Sequence, residues 1–153
     1  MANDRNGAPV TSIDWSLTEK KTVVFDGGTT NDPGDQDGTG NPTTLFTVTG
    51  PVLMKCIAFC SDALVGASAT IRVGTAISNT GLIASTTAAN LIANEIWHDA
   101  TPDASIELAS VATTKIVNQD VILTVGTANI TAGEMTVYCS WFPLHNDAKV
   151  VAA

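Results

Sequence analysis

Two histidines, three cysteines and one Asp-rich stretch are the residues of this chain best suited to chemistry. The Asp-rich stretch is residues 26–42, DGGTTNDPGDQDGTGNP, and contains Asp35-Gln36-Asp37-Gly38, the centre of an EF-hand-like calcium loop. Such a loop needs oxygen ligands at positions one, three and five, glycine at six and a bidentate glutamate at twelve. With Gly38 at position six, the ligand positions fall on Pro33, Asp35 and Asp37, and position twelve is Thr44. Proline offers no side-chain oxygen and threonine no carboxylate, so two ligands are missing. That leaves a solvated Gly/Asp loop, or a loop that orders against a partner. Asp32, Asp35 and Asp37 are the contact candidates in the second case.

His98 sits in EIWHDATPD and His145 in FPLHND. Nucleophilic catalysis needs a base oriented by a third group beside an activated Ser or Cys, and no GxSxG-type elbow frames any serine. Glu95, His98, Asp99 and Asp103 match no metal-ligand spacing, and a turn following a strand accounts for them more simply. Cys56 and Cys60 lie four residues apart; on one strand they share a face but sit about 13 Å apart, too far to bond each other. Cys56, Cys60 and Cys139 therefore read as buried thiols, with a bond from Cys139 to Cys56 or Cys60 across neighbouring strands as the alternative. Nothing implies a cofactor or a metal, and the chain is not expected to be an enzyme. Asn129-Ile130-Thr131 fits the N-glycosylation pattern, which without a secretion signal reads as chance.

The elements that carry these residues have a period of two. TTLFTVTG (43–50), ATIRVGT (69–75), VILTVGT (121–127) and EMTVYCSWF (134–142) alternate apolar and polar residues, and KTVVF (21–25) and DASIELASV (103–111) are shorter examples. In PVLMKCIAFC (51–60), Val52, Met54, Cys56, Ala58 and Cys60 share one face and Leu53, Lys55, Ile57 and Phe59 the other. A strand apolar on nearly both sides is central, or has a covered outer face. The segment 86–97 reads as one helical turn before a strand ending in Ile96 and Trp97. Turn residues punctuate these runs, and no long 3.6-residue stripe occurs. The tetrapeptide VGTA occurs at 73–76 and again at 125–128, each time ending an alternating strand. The expected fold is all-β: a single jelly-roll-like β-sandwich of seven to nine short antiparallel strands over residues 20–153. Residues 1–19 are expected to form an extended N-terminal arm that docks Ile13, Trp15 and Leu17 on a neighbour or on its own sheet.

Composition narrows the function. The chain has 153 residues, 44% of them apolar and only 14% charged, with a net charge of −8. That length suggests one domain with a substantial core. Its seven basic residues are scattered, so no patch exists to neutralise phosphates or bind an anionic membrane. No stretch approaches the length of a membrane span, and MANDRNGAPV lacks a signal-peptide plan. Synthesis in a cytoplasm, as a protein that stays soluble, is expected. Few charges and a two-sided apolar strand suit a domain that buries surface in an assembly.

Four stretches, TLFTVTGPVLMKC, LVGASATIRVGTA, ANEIWHDATPDASIEL and WFPLHNDAKVVAA, give the chain a resemblance to small structural proteins of tailed bacteriophages that coat or cement the capsid. The third is the most specific. The resemblance runs from about Thr43 to the C-terminus; residues 1–42 match less clearly. It implies jelly-roll or immunoglobulin-like domains on the outer capsid surface, assembled as dimers or trimers and bound to the major capsid protein. It implies no catalytic residues, no nucleic-acid partner and no membrane. A receptor- or glycan-binding module of a tail fibre or baseplate, using Trp97 and Trp141, is the alternative.

Overall fold

The computed structural model describes residues 17–27, 32–103 and 113–153. Within them, β-branched and small residues in alternation form ten strands and no α-helix: β1 Leu17–Phe25, β2 Thr43–Thr49, β3 Val52–Val65, β4 Thr70–Gly74, β5 Ile83–Thr87, β6 Ile96–Trp97, β7 Lys115–Val117, β8 Val121–Gly126, β9 Ala132–Pro143 and β10 Lys149–Ala152. A single 3-10 turn, Ala88–Asn90, precedes β6, as the segment 86–97 suggested.

The strands form two antiparallel sheets. The first runs β1-β9-β3-β6, with β7 also pairing β3; the second runs β10-β2-β8-β4-β5. The chain changes sheet at almost every connection, and only β4–β5 and β6–β7 stay within one. This order is consistent with the two interlocked Greek keys of a jelly roll, with β10 added beside β2.

The alternation read from the sequence places the core between the sheets. Val52, Met54, Cys56, Ala58 and Cys60 of β3 are all buried, as are Met135, Val137, Cys139 and Trp141 of β9 and Val121, Leu123 and Val125 of β8. Trp97, Phe25, Phe46 and Leu45 are the largest fully buried side chains. Each contributes roughly 1.5–3 kcal/mol through removal from water. Between β2 and β3 the chain crosses sheets in two residues, Gly50 and Pro51. Gly50 has φ +70°, a region glycine enters without a Cβ penalty.

Three strands were not expected: β5, β7 and β10. Each has five residues or fewer and sits beside longer, patterned partners. Their pairing comes from tertiary placement, which a short run cannot announce. The arm boundary also moves. Leu17, Thr18 and Glu19 belong to β1, opposite Trp141, Ser140 and Cys139. The expected strand over 103–111 falls largely outside the described residues; Asp103 forms an isolated bridge with Ile96.

The repeated VGTA now has a structural reading. Its two copies end β4 and β8, which are antiparallel neighbours, with Gly74 opposite Ile122 and Gly126 opposite Thr70. Their glycines do different work. A Cβ on Gly74 would overlap the Ser78 carbonyl in the β4–β5 turn, whereas one on Gly126 would meet Thr70 Oγ1 at 3.1 Å and the mobile guanidinium of Arg72 at 3.2 Å.

Candidate interaction surface

The same alternation that fills the core sends every second residue of the first sheet outward. On β3 these are Leu53, Lys55, Ile57 and Phe59; on β9 they are Thr136, Tyr138, Ser140 and Phe142. The register sets them in rows across the strands. Ile116, Leu53 and Phe142 lie side by side across β7, β3 and β9. Ile57 lies beside Tyr138, and Lys20 of β1 lies on the other side of Tyr138. Ile96, Phe59 and Thr136 form a third row, extended by Thr22, whose hydroxyl is 2.8 Å from that of Thr136. Opposed side chains on one sheet face stand about 5 Å apart, so the apolar members form a patch in two parts, Ile57, Tyr138, Phe59 and Ile96 in one and Ile116, Leu53 and Phe142 in the other, with the row of Lys55 and Ser140 between them.

This patch is open. Tyr138 is 44% exposed, Phe59 37% and Ile116 72%, with Leu53, Ile57, Ile96 and Phe142 half-buried. From the Phe142 row to the Thr136 row is about 20 Å along the strands, and β9, β3 and their neighbour span about 15 Å. That face measures on the order of 300 Å², with Lys55, Ser140 and Thr136 as its polar members. Charge sharpens the contrast. Lys20 and Lys55 are the charged side chains within these rows, although the chain as a whole carries −8. The outer face of the second sheet is different in kind: Thr44, Thr47, Thr70, Arg72 and Thr124 point outward there, relieved only by Ile122 and Val151.

The residues singled out from sequence fall in several places. Ile13 and Trp15 lie outside the described residues. Leu17 is 40% exposed and pairs within β1. Asp32, Asp35 and Asp37 belong to a loop that the chain's own β8–β9 connection holds in place. Asn129 Nδ2 donates to Asp35 Oδ1 at 2.9 Å, its Oδ1 accepts from the Gln36 amide at 3.0 Å, and the Ile130 amide donates to the Gly34 carbonyl at 2.8 Å. Asp37 accepts from Gln36 Nε2 at 3.2 Å. Asn41 completes the anchor: its side-chain amide donates to the Gln36 carbonyl at 2.7 Å and the Val125 carbonyl at 2.8 Å, and its Oδ1 accepts from the Val125 amide at 2.9 Å. Over 32–42, then, the chain itself supplies these anchoring bonds. Sequence gave no sign of this because Asn41 and Asn129 are 88 positions apart.

All three cysteines are free and buried. Cys56 and Cys139 are directly opposed across β3 and β9, while Cys60 faces Met135. The Cys60 thiol donates to the carbonyls of Asp62 at 3.1 Å and Leu91 at 3.3 Å, and burial raises its pKa to about 11. Glu95 and His98 are buried beside β6, Asp103 is exposed, and Asp99 caps its own turn by accepting from the Thr101 amide at 2.6 Å. Among the described residues no three His, Cys, Asp or Glu side chains gather to hold a metal ion. His145 lies in an exposed turn 3.8 Å from Asp147.

Trp97 and Trp141 are core residues, 0% and 8% exposed, and neither offers a stacking surface. Among the described residues the exposed aromatics are instead Tyr138 and Phe59. Their signal was present in the sequence as the second apolar face of β3, but register was needed to bring Tyr138 alongside it.

Comparison with known proteins gave no match to any family model, to any curated protein or to any solved structure.

Proposed function

We propose that this protein is a structural component of a bacteriophage virion that decorates and stabilises the capsid exterior by bridging subunits of the major capsid protein. The observation that carries the reading is the asymmetry of the sandwich. One sheet presents threonines and an arginine to solvent, while the other presents a flat patch centred on Ile57, Phe59 and Tyr138. A flat apolar patch without a deep cleft suits contact with a protein surface. Many copies, each held by a modest contact, sum to firm attachment over a shell. The resemblance over residues 43–153 supports the same role, and a homo-oligomer with other copies on the capsid is part of it. The tail-fibre alternative took Trp97 and Trp141 as its aromatic platform; both are buried, and it would have to use Phe59 and Tyr138 instead.

The test is binding to capsids that lack the protein. Ile57→Lys combined with Tyr138→Glu places a directly opposed ion pair on the patch, with Lys20 on the carboxylate's other side, without entering the core. The double variant is expected to keep the wild-type melting temperature within about 3 °C and to lose capsid binding at least tenfold. Wild-type binding by a folded double variant would rule out this face as the contact. No binding by the wild-type chain would rule out the function.

A further inference from the structure

The inference concerns the paired thiols in the centre of the first sheet and stands independently of the proposed function. β3 and β9 pair along their whole length there, with Lys55 opposite Ser140, Cys56 opposite Cys139 and Ile57 opposite Tyr138. Cys56 and Cys139 both point inward, 3% and 0% exposed. Directly opposed residues of an antiparallel pair have Cα atoms about 4.5–5.5 Å apart, within the roughly 4.4–6.8 Å that a disulfide spans. No strand has to move for the two sulfurs to join. The third cysteine is a natural control. Cys60 has Met135 as its cross-strand partner and already donates its thiol to two backbone carbonyls.

We propose that Cys56 and Cys139 are a latent cross-strand disulfide, reduced while the chain folds among cytoplasmic thiols and closed by exchange with a small disulfide when it folds or opens under oxidising conditions. In the first step one cysteine thiolate attacks a sulfur of glutathione disulfide, forming a mixed disulfide and expelling one glutathione thiolate. The opposing thiolate then attacks the protein sulfur of the mixed disulfide and expels the second glutathione. Two protein thiols become one disulfide, one glutathione disulfide becomes two glutathiones, and the two protein protons end on the released thiolates. The folded interior holds this reaction back. Its hydrogen bond with Cys139, together with burial, keeps the Cys56 thiol protonated well above the usual thiol range, and only the thiolate attacks. The mixed disulfide therefore forms while β3 and β9 are apart, and as they pair their register sets the opposing cysteine against it for the second step. Once formed, it is shielded from reductant by the same burial. It ties residue 56 to residue 139, a long loop, and long loops gain most from closure.

The experiment refolds the reduced, denatured wild-type chain in a glutathione redox buffer, then quenches with an alkylating agent in denaturant. The expected product has lost two hydrogens, carries one alkyl group, on Cys60, and yields a linked peptide pair containing Cys56 and Cys139. Its melting temperature exceeds that of the reduced chain by roughly 5–15 °C. Cys60→Ser is expected to give the same linkage and Cys139→Ser none. Three alkylated cysteines after refolding, or a bond that includes Cys60, would overturn the proposal. So would a linked product that melts below the reduced chain, because opposed strands in native register should accept the bond without strain.

Discussion

Asn41→Ala is the substitution most directly legible from the geometry. β2 begins at Thr43, which pairs with Leu123 of β8. Two residues further along β8, the amide and carbonyl of Val125 on that edge have no strand to pair with. The carboxamide of Asn41 takes the place of a peptide group there, accepting from Val125 N–H at 2.9 Å and donating to Val125 C=O at 2.8 Å. Its second donated bond, to the Gln36 carbonyl at 2.7 Å, fastens the 32–42 loop to the same point. At roughly 1 kcal/mol net per bond, and with water able to reach part of the vacated site, the loss is about 2–4 kcal/mol. That is a large share of a typical domain's 5–15 kcal/mol. With a urea slope of about 2 kcal/mol/M, the unfolding midpoint should fall by about 1–2 M. The Val125 amide should also lose hydrogen-exchange protection before its neighbours in β4. Asn41→Asp is the informative companion. It keeps the acceptor for Val125 N–H but turns a carboxylate towards two carbonyls, so it should be no more stable than the alanine variant. A midpoint within about 0.3 M of wild type for Asn41→Ala, with Val125 protection intact, would refute the idea that this side chain extends the ladder.

The two VGTA copies should respond unequally. Gly74→Ala must push the Ser78 carbonyl aside and should cost about 2–3 kcal/mol, whereas Gly126→Ala asks only the Thr70 hydroxyl and the Arg72 guanidinium to give by a few tenths of an ångström and should cost about 1 kcal/mol or less, both read by urea denaturation. Alkali should weaken the fold through Cys60. Its folded pKa of about 11 lies above the ordinary thiol value, so its contribution is complete below about pH 9 and is lost as pH rises towards 11. The melting temperature of Cys60→Ala should consequently fall less than that of wild type over that window; parallel curves would show that the thiol is not being held protonated by the fold. Lys21→Met should lower the melting temperature by a few degrees at most. The residue joins the two sheet edges through a single bond from its ammonium to the Ala153 carbonyl at an exposed site.

How much of this was legible in the sequence depended on which physical signal each element carried. β3, β8 and β9 showed themselves by alternation, because one face of each meets the core and a period of two is the direct record of that. The inward positions Val52 to Cys60 and Met135 to Trp141 were read residue by residue. β5, β7 and β10 were silent, since strands of three to five residues hold too few alternations to stand apart from a turn, and their partners decide them. Burial of Trp97 was hidden because a two-residue strand gives no face. The anchoring of residues 32–42 was illegible for a different reason. Their composition is that of a solvated segment, but Asn41, Gly34 and Asp35 find their partners at Val125, Ile130 and Asn129, and hydrogen bonds over such separations leave no periodic trace. The outer patch was half legible: the second apolar face of β3 stood in the sequence, but Tyr138 and Ile116 joined it only through register.

The pairing of β1 with β9 carries a consequence for biosynthesis. β1 ends at Phe25, and the strand that receives it begins at Ala132. At about 5–20 residues per second, a ribosome needs roughly 5–20 s to make the intervening chain. Once enough chain has followed to push β1 out of the exit tunnel, Val23 and Phe25, both core residues in the finished sheet, stay uncovered for the rest of that interval. The first strand of the described residues is thus among the last to be placed, and the first sheet closes only once β9 has been made. Chains arrested before residue 132 should present an unpartnered N-terminal strand to chaperones, and to one another.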